Sequence, residues 1–516
     1  MTQKIEINDE FMGRFLRIMR HNLPSTAEED MTPLDDFKTA LKGADIRDRI
    51  RAGLIGEDVQ IEGPFGVHPL IYADYVASGR ALTQVEDFVR DRVLPYYANT
   101  HTQASFCGEY MTRLREAARG EIARLIGAGD GMSVIFTGSG STAGINRIVG
   151  LLDLPSLVSA GQRVVVLTGP YEHHSNILPW RETGAEVIEI AEAANGGVDM
   201  EDLSHALKAS EDAALIVGTF SAASNVTGIL TDVDAVTRLL RAHGAFVVWD
   251  YGCAGPYCAM DMKAGTDAQK DAIVFSPHKF PGGPGSSGVA VIRDGIARRA
   301  TPTLPGGGTV SFVSPWGHVY SNTLSAREEG GTPNVTGDIR AALALLVKEA
   351  LGQEWLDKRQ AELREKALNI WSQNDRIELL GQPDAQALPI FSFRVRDGQG
   401  GLVHHQFFTR LLSDRYGVQA RGGCACAGPY GHRLLGLGRS ESDATIEALE
   451  RGEETAKPGW VRLNLSALMS DTKVNSIIEA VDNLARTAPD YVKDYRVDTG
   501  TARFNAVTAS KDPLAS

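Results

Sequence analysis

The sequence predicts an α/β protein, with a large lobe on a mostly parallel sheet followed by a smaller α+β lobe. Three observations predict it. Short apolar runs rich in β-branched residues recur at Val134–Phe136, Val164–Leu167, Ala214–Val217, Phe246–Trp249, Ile273–Phe275 and Val289–Ile292. Runs of that kind suit strands covered on both faces. They alternate with helix-length segments, for instance Asp232 to His243 with Thr231 as its expected N-cap, and this alternation favours a parallel sheet. Near Gly337 the texture changes. Asp338 to Leu351 has the spacing of a long amphipathic helix, and Phe391–Arg394, a helix near 403–413 and Trp460–Leu463 follow.

Taken in order, residues 1–65 read as a polar helical extension, with Phe11, Phe15, Leu16 and Met19 spaced along one face, expected to pack on the small lobe. Residues 66–335 form the expected large lobe and 336–516 the small one. The tail after Arg503 is small and polar, and is expected to fray. Length agrees with two fused lobes, since 516 residues exceed what one ordinary core needs.

Composition narrows the function. With 52 basic against 65 acidic side chains the net charge is −13, which disfavours nucleic acid as a partner. No segment approaches the ~20 apolar residues of a spanning helix, and the start lacks the apolar core of a secretory signal. No membrane association and a cytoplasmic location are therefore expected. Five cysteines are too few, and odd in number, for a disulfide framework. Much of the glycine, 54 residues in all, sits in short clusters between apolar runs, where tight turns around a small ligand would need it.

Three segments carry the chemistry. Phe136-Thr137-Gly138-Ser139-Gly140-Ser141-Thr142 joins a strand to a helix, and its free N–H groups with the Ser141 and Thr142 hydroxyls suit a phosphate. Its glycine spacing is not that of a dinucleotide fingerprint, and the next strand ends in Thr168-Gly169 without a ribose-gripping acid. Ser276-Pro277-His278-Lys279 closes a buried strand, where desolvation would lower the lysine pKa and make it an amine nucleophile able to form a Schiff base. Asp250 ends another strand, placed to pair with a protonated ring nitrogen. Taken singly, each has a plainer reading as a turn, a surface lysine or a cap.

Together these segments resemble the class V aminotransferase family of fold-type I pyridoxal 5'-phosphate (PLP) enzymes, and within it the cysteine desulfurase and selenocysteine lyase branch. The resemblance runs from about Ile71 to Asp471. Glu172-His173-His174-Ser175-Asn176-Ile177-Leu178-Pro179-Trp180 follows the branch's E-H-H-x-N-x-x-P-W stretch, which implies that His173 stacks on the cofactor ring and helps move protons. Ser221 to Leu230 follows the S-N-x-x-G segment, setting Asn225 beside the ring oxygen. The S-x-H-K motif implies phosphate contacts for Ser276 and His278 and the covalent cofactor link for Lys279. Asp250 falls on the pyridine-nitrogen aspartate, and Cys253 stands where the family carries a Gln or His near the ring oxygen.

By the same resemblance, Gly330-Gly331-Thr332-Pro333-Asn334 implies a homodimer in which Thr332 completes the phosphate site in trans. Arg462 would clamp the substrate carboxylate, a task its planar fork suits, with Arg421 beside it. Gly422-Gly423-Cys424-Ala425-Cys426-Ala427-Gly428-Pro429 falls on the loop of the sulfur-accepting cysteine, which makes Cys426 the expected nucleophile and Cys424 a second thiol. The family's His pair before that cysteine is replaced here by Gly-Gly-Cys-Ala. The expected activity converts L-cysteine, or selenocysteine, to L-alanine with sulfur passed to a cysteine persulfide and on to a sulfur-acceptor protein. Two alternatives stand beside it. One is a different class V enzyme, an aminotransferase, β-lyase or epimerase, on the same scaffold. The other is a zinc module using Cys424, Cys426, His432 and His404 or His405.

Overall fold

The computed structural model describes residues 32–100 and 102–507. The helical stripe expected at Phe11 to Met19 lies outside them.

The large lobe is a seven-stranded sheet of Met132–Gly138 (β1), Val164–Thr168 (β2), Glu186–Glu189 (β3), Leu215–Ser221 (β4), Phe246–Asp250 (β5), Ala272–Phe275 (β6) and Gly288–Arg293 (β7), in the order β1-β7-β6-β5-β4-β2-β3. Only β7 runs antiparallel to its neighbours. Alternate residues explain the continuous apolar runs. Val165, Leu167, Val247, Trp249, Ile273 and Phe275 pack into one core. Val164, Val166, Val248 and Val274 pack into another on the opposite face. A strand buried on both sides has no solvent face to vary. The edge strand β3 escaped the sequence reading because Glu186 and Glu189 at its ends are exposed and break the apolar run.

The smaller sheet runs Ile377–Leu379 (β8), Ile390–Arg396 (β9), Trp460–Asn464 (β11), Arg421–Gly423 (β10), and all these pairings are antiparallel. A separate core of Phe391, Phe393, Phe408, Leu411, Val461, Leu463, Ile477 and Val481 covers it. One short parallel pair, Ile71–Tyr72 with Val418–Gln419, carries the chain from the first lobe alongside this second unit.

Four local expectations need correction. The helix at 233 starts after Asp232, whose carboxylate accepts from the Ala235 N–H, while Thr231 donates instead to the Ser221 carbonyl. The long helix spans Val335–Leu351, three residues longer at its start, because Asn334 caps it through the Gly337 N–H. It packs in the large-lobe core and not with the smaller sheet. The described helices of the N-terminal segment, Pro33–Ala40 and Ile46–Ala52, likewise bury Leu34, Phe37, Ile46 and Ile50 in the large-lobe core. Finally, Arg503–Ala506 does not fray up to Ala506, because it pairs with Tyr495–Asp498 and buries Ala506.

Candidate active site

The parallel strands β1, β2, β4, β5 and β6 point the same way, and the segments that follow them converge on one cavity of about 260 Å³. Open α/β sheets bind ligands at this end because the loops leaving the strands diverge there. The cavity is lined by Ser141, His173, Asn225, Asp250, Ser276 and Lys279 from the large lobe, and by Arg421, Cys426 and Arg462 from the smaller one. Thr142, Cys253 and His278 complete the sequence-predicted residues on its wall.

At one end lies an anion cradle. Gly140 opens the helix Gly140–Leu152, so the helix N-terminus supplies N–H groups that lack helical i−4 partners and a favourable dipole. The Ser141 N–H donates to Ser276 Oγ at 2.9 Å, and the two hydroxyls lie 3.1 Å apart. Gly140 has φ +61°, and a Cβ there would meet Ser276 Oγ at 2.7 Å and the His278 ring at 3.2 Å. The turn therefore needs glycine. Thr142 lines the cavity with its hydroxyl engaged by Ser175 at 2.6 Å, and Ser175 Oγ lies 3.0 Å from His173 Nδ1.

Across the cavity, Asp250 is buried and accepts the Gly252 N–H at 2.7 Å. Burial raises its carboxyl pKa, and the Gly252 N–H and the nearby Lys279 oppose the rise. Lys279 is lowered from its ordinary value, chiefly by desolvation, which favours the neutral amine a nucleophile needs. Burial, with Lys279, His174 and Arg462 as like charges, drives the His173 imidazole down to about 4. Its Nδ1 accepts the Ser175 N–H at 3.1 Å, so the neutral ring keeps its proton on Nε2. The Cys253 thiol is pushed up to about 11, first by burial, and its Sγ lies 3.6 Å from the Ser224 carbonyl. It stays a thiol and serves as a weak donor in the wall.

The arginine pair expected to clamp a carboxylate is joined by a residue that the sequence pattern did not reveal. Asp74 takes Arg421 Nε at 2.9 Å and Arg462 at 3.1 Å, one on each carboxylate oxygen. Arg462 is only 4 % exposed, and it also donates to the Asn225 carbonyl at 3.0 Å. Its Nε and Asn225 Oδ1 are buried polar atoms without a partner among the described residues. Orphaned groups of this kind are costly unless a ligand takes them. An anion cradle, a buried carboxylate, a desolvated lysine and a spare guanidinium edge together fit a phosphorylated, ring-bearing cofactor and a carboxylate substrate.

The thiol loop meets the cavity from the other side. Cys424 and Cys426 are both exposed, but only Cys426 is on the cavity wall. Ala425 and Cys426 have φ +54° and +56°, and the Ala427 N–H closes the turn onto the Cys424 carbonyl at 3.2 Å. Thr332 is exposed and is not on the wall of this cavity in the single chain. Among the described residues no three His, Cys, Asp or Glu side chains converge to hold a metal ion, so the zinc alternative finds no support. None of the described helices is long and apolar enough to cross a membrane.

The chain is 32% identical over 371 residues to a probable cysteine desulfurase of Vibrio cholerae, covering 70% of this chain and 85% of that one. A probable cysteine desulfurase of Halalkalibacterium halodurans is 28% identical over 366 residues, with the same coverage. Among solved structures, the fold matches the apo cysteine desulfurase of Thermococcus onnurineus with a TM-score of 0.67 at 23% identity, over 81% of this chain and 94% of the other. It also matches the cysteine desulfurase CsdA of Escherichia coli, in its S-sulfonic acid form, with a TM-score of 0.65 at 22% identity, over 85% and 98%. The sequence profile of the family described as Aminotransferase class-V matches residues 71–440, and this chain belongs to that family of PLP-dependent enzymes.

Proposed function

We propose that this protein is a PLP-dependent cysteine desulfurase that converts L-cysteine to L-alanine and leaves the sulfur as a persulfide on Cys426, with selenocysteine as a further substrate. The observation that carries the reading is that Cys426 shares one cavity wall with Lys279 and the buried Arg462. When bound, PLP would supply an electron sink for the carbanion chemistry that weakens the substrate's carbon–sulfur bond.

The chain's own residues do the rest. Ser141, Ser276 and His278 would hold the phosphate, and Asp250 would keep the ring nitrogen protonated, with Asn225 and Cys253 beside the ring oxygen. Lys279 Nζ, kept toward its neutral form by desolvation, would anchor the cofactor and carry protons to and from the substrate carbon. His173 would cover the ring and hold a proton at Nε2. Arg462, steadied by Asp74 and flanked by Arg421, would receive the α-carboxylate. The Cys426 thiolate would then form a bond to the substrate sulfur as the substrate's carbon–sulfur bond breaks. The electron pair stays with the carbon, which takes up a proton to become the methyl group of alanine. Cys426 is exposed, so the persulfide would be within reach of a sulfur-acceptor protein. Thr332 would serve the phosphate of a second copy, making the working unit a homodimer.

Reconstituting the purified protein with PLP, adding L-cysteine and assaying alanine and sulfide together tests this. Alanine and sulfane sulfur in equal amounts are expected. Turnover of other amino acids with no alanine from cysteine would favour an aminotransferase, β-lyase or epimerase instead.

A further inference from the structure

The turn that carries Cys426 is held by three bonds from the large lobe, and two of them come from one residue. The His174 N–H donates to the Cys426 carbonyl at 2.9 Å, and the Gly428 N–H donates to His174 Nε2, also at 2.9 Å. The third is Asn225 Nδ2 to the Ala425 carbonyl at 2.7 Å. The bonds matter because Ala425 and Cys426 both sit at left-handed φ, a conformation L side chains hold only where their surroundings impose it. The fit is close. A Cβ on Gly428 would lie 3.1 Å from His174 Nε2.

The ring of His174 must accept at Nε2, so it is neutral with its proton on Nδ1. Burial, and secondarily Arg181, lowers its pKa and keeps it so. His173, one residue earlier, lines the cavity beside Lys279. A single peptide unit therefore ties the thiol loop to the wall that faces the cofactor site.

We propose that His174 is a positioning residue for sulfur transfer: it clasps the 424–428 loop and sets the Cys426 thiol in register with the cavity wall at His173. The proposal rests on the desulfurase reading for the reaction it serves, but the clasp itself does not. Without the clasp the turn relaxes, and the thiol spends less time at the substrate sulfur while the cofactor cradle is untouched.

The test compares His174→Leu, His174→Gln and Gly428→Ala with wild type, each reconstituted with PLP. Two readouts are taken: alanine from L-cysteine, and iodoacetamide labelling resolved at Cys426 by peptide mass spectrometry. Losing one hydrogen bond to a strained loop should lower kcat about tenfold in His174→Leu, with KM for L-cysteine and the cofactor absorbance unchanged. Labelling of Cys426 should rise by a similar factor. His174→Gln, whose Oε1 reaches the position of Nε2, should recover most of both changes. Gly428→Ala should shift both readouts in the same direction as His174→Leu. Wild-type kcat and labelling in His174→Leu, a Gln variant no better than Leu, or loss of the cofactor absorbance would each overturn the proposal. Labelling needs no turnover, so it tests the clasp even if L-cysteine proves not to be the substrate.

Discussion

The buried cradle around Lys279 and the thiol loop face each other across one cavity, yet they are built on opposite principles. The cradle sits at the ends of strands buried on both faces, and Asp250, Ser276 and Ser141 are 5–6 % exposed. There, burial itself does chemical work by lowering the Lys279 and His173 pKa values and raising that of Asp250. The thiol loop is exposed, short and rich in small residues, and it is held in a left-handed turn by contacts from outside itself. A rigid cradle suits a resident cofactor. An accessible thiol suits the role proposed for Cys426, taking sulfur inside the cavity and surrendering it outside.

The largest effect should follow from breaking the cradle at its centre. Lys279→Ala removes the amine proposed as the nucleophile, and turnover of any amino acid should fall by roughly a thousandfold or more, with the covalent cofactor link gone. Borohydride reduction before denaturing and desalting, followed by absorbance of the protein fraction, checks the link.

Next comes the joint between the regions. Asp74→Ala leaves Arg462 buried without its carboxylate, and removing one partner of such a pair should cost about 3 kcal/mol of stability. Urea unfolding against wild type measures it, and an unchanged midpoint would show that Asp74 merely sits near the arginines.

The thiol loop should fail more selectively. Cys426→Ala should cut alanine formation from L-cysteine about a hundredfold while leaving the cofactor spectrum as in wild type. Cys424→Ala, off the cavity wall, should stay within about twofold of wild type by the same assay. The reverse pattern would exchange the roles of the two cysteines.

The smallest effect concerns a group that belongs to neither region. Burial and the neighbouring His404 drive His405 down to about 4. The unfolded chain takes up a proton there below about pH 6.5 and the folded chain does not, so the penalty is absent above that pH and grows as pH falls toward 4. By pH 5 it should reach about 2 kcal/mol. Unfolding curves at pH 7.5 and pH 5 should diverge less in His405→Asn than in wild type.

The same contrast explains what was legible in the sequence. Strands β1, β2 and β4 to β7 announced themselves as apolar runs because both faces are covered, and Asp250 and Lys279 stood out as polar residues ending or following such runs. Asp74 did not stand out. Its partners lie 347 and 388 residues away, brought to it by the parallel pairing of Ile71–Tyr72 with Val418–Gln419. His174 was visible only as half of a His pair, since its partner Gly428 is 254 residues distant. Local pattern finds groups whose environment is set by their own strand, and it misses those whose environment is another lobe. The start of the helix at Val233 shows the limit at small scale. Asp232 and Thr231 are both good caps, and the choice fell to Asp232 because the Thr231 hydroxyl bonds the Ser221 carbonyl at the end of β4.

The proposed activity stands or falls on whether Cys426 takes sulfur from a substrate held in the cradle. Peptide mass spectrometry of the PLP-reconstituted protein, quenched with an alkylating agent after L-cysteine and before any reductant, tests it most directly. One added sulfur atom is expected on the peptide at Cys426, formed together with alanine, and none there in Lys279→Ala. Alanine formed at the wild-type rate with Cys426 never modified, or with Cys426→Ala fully active, would contradict it.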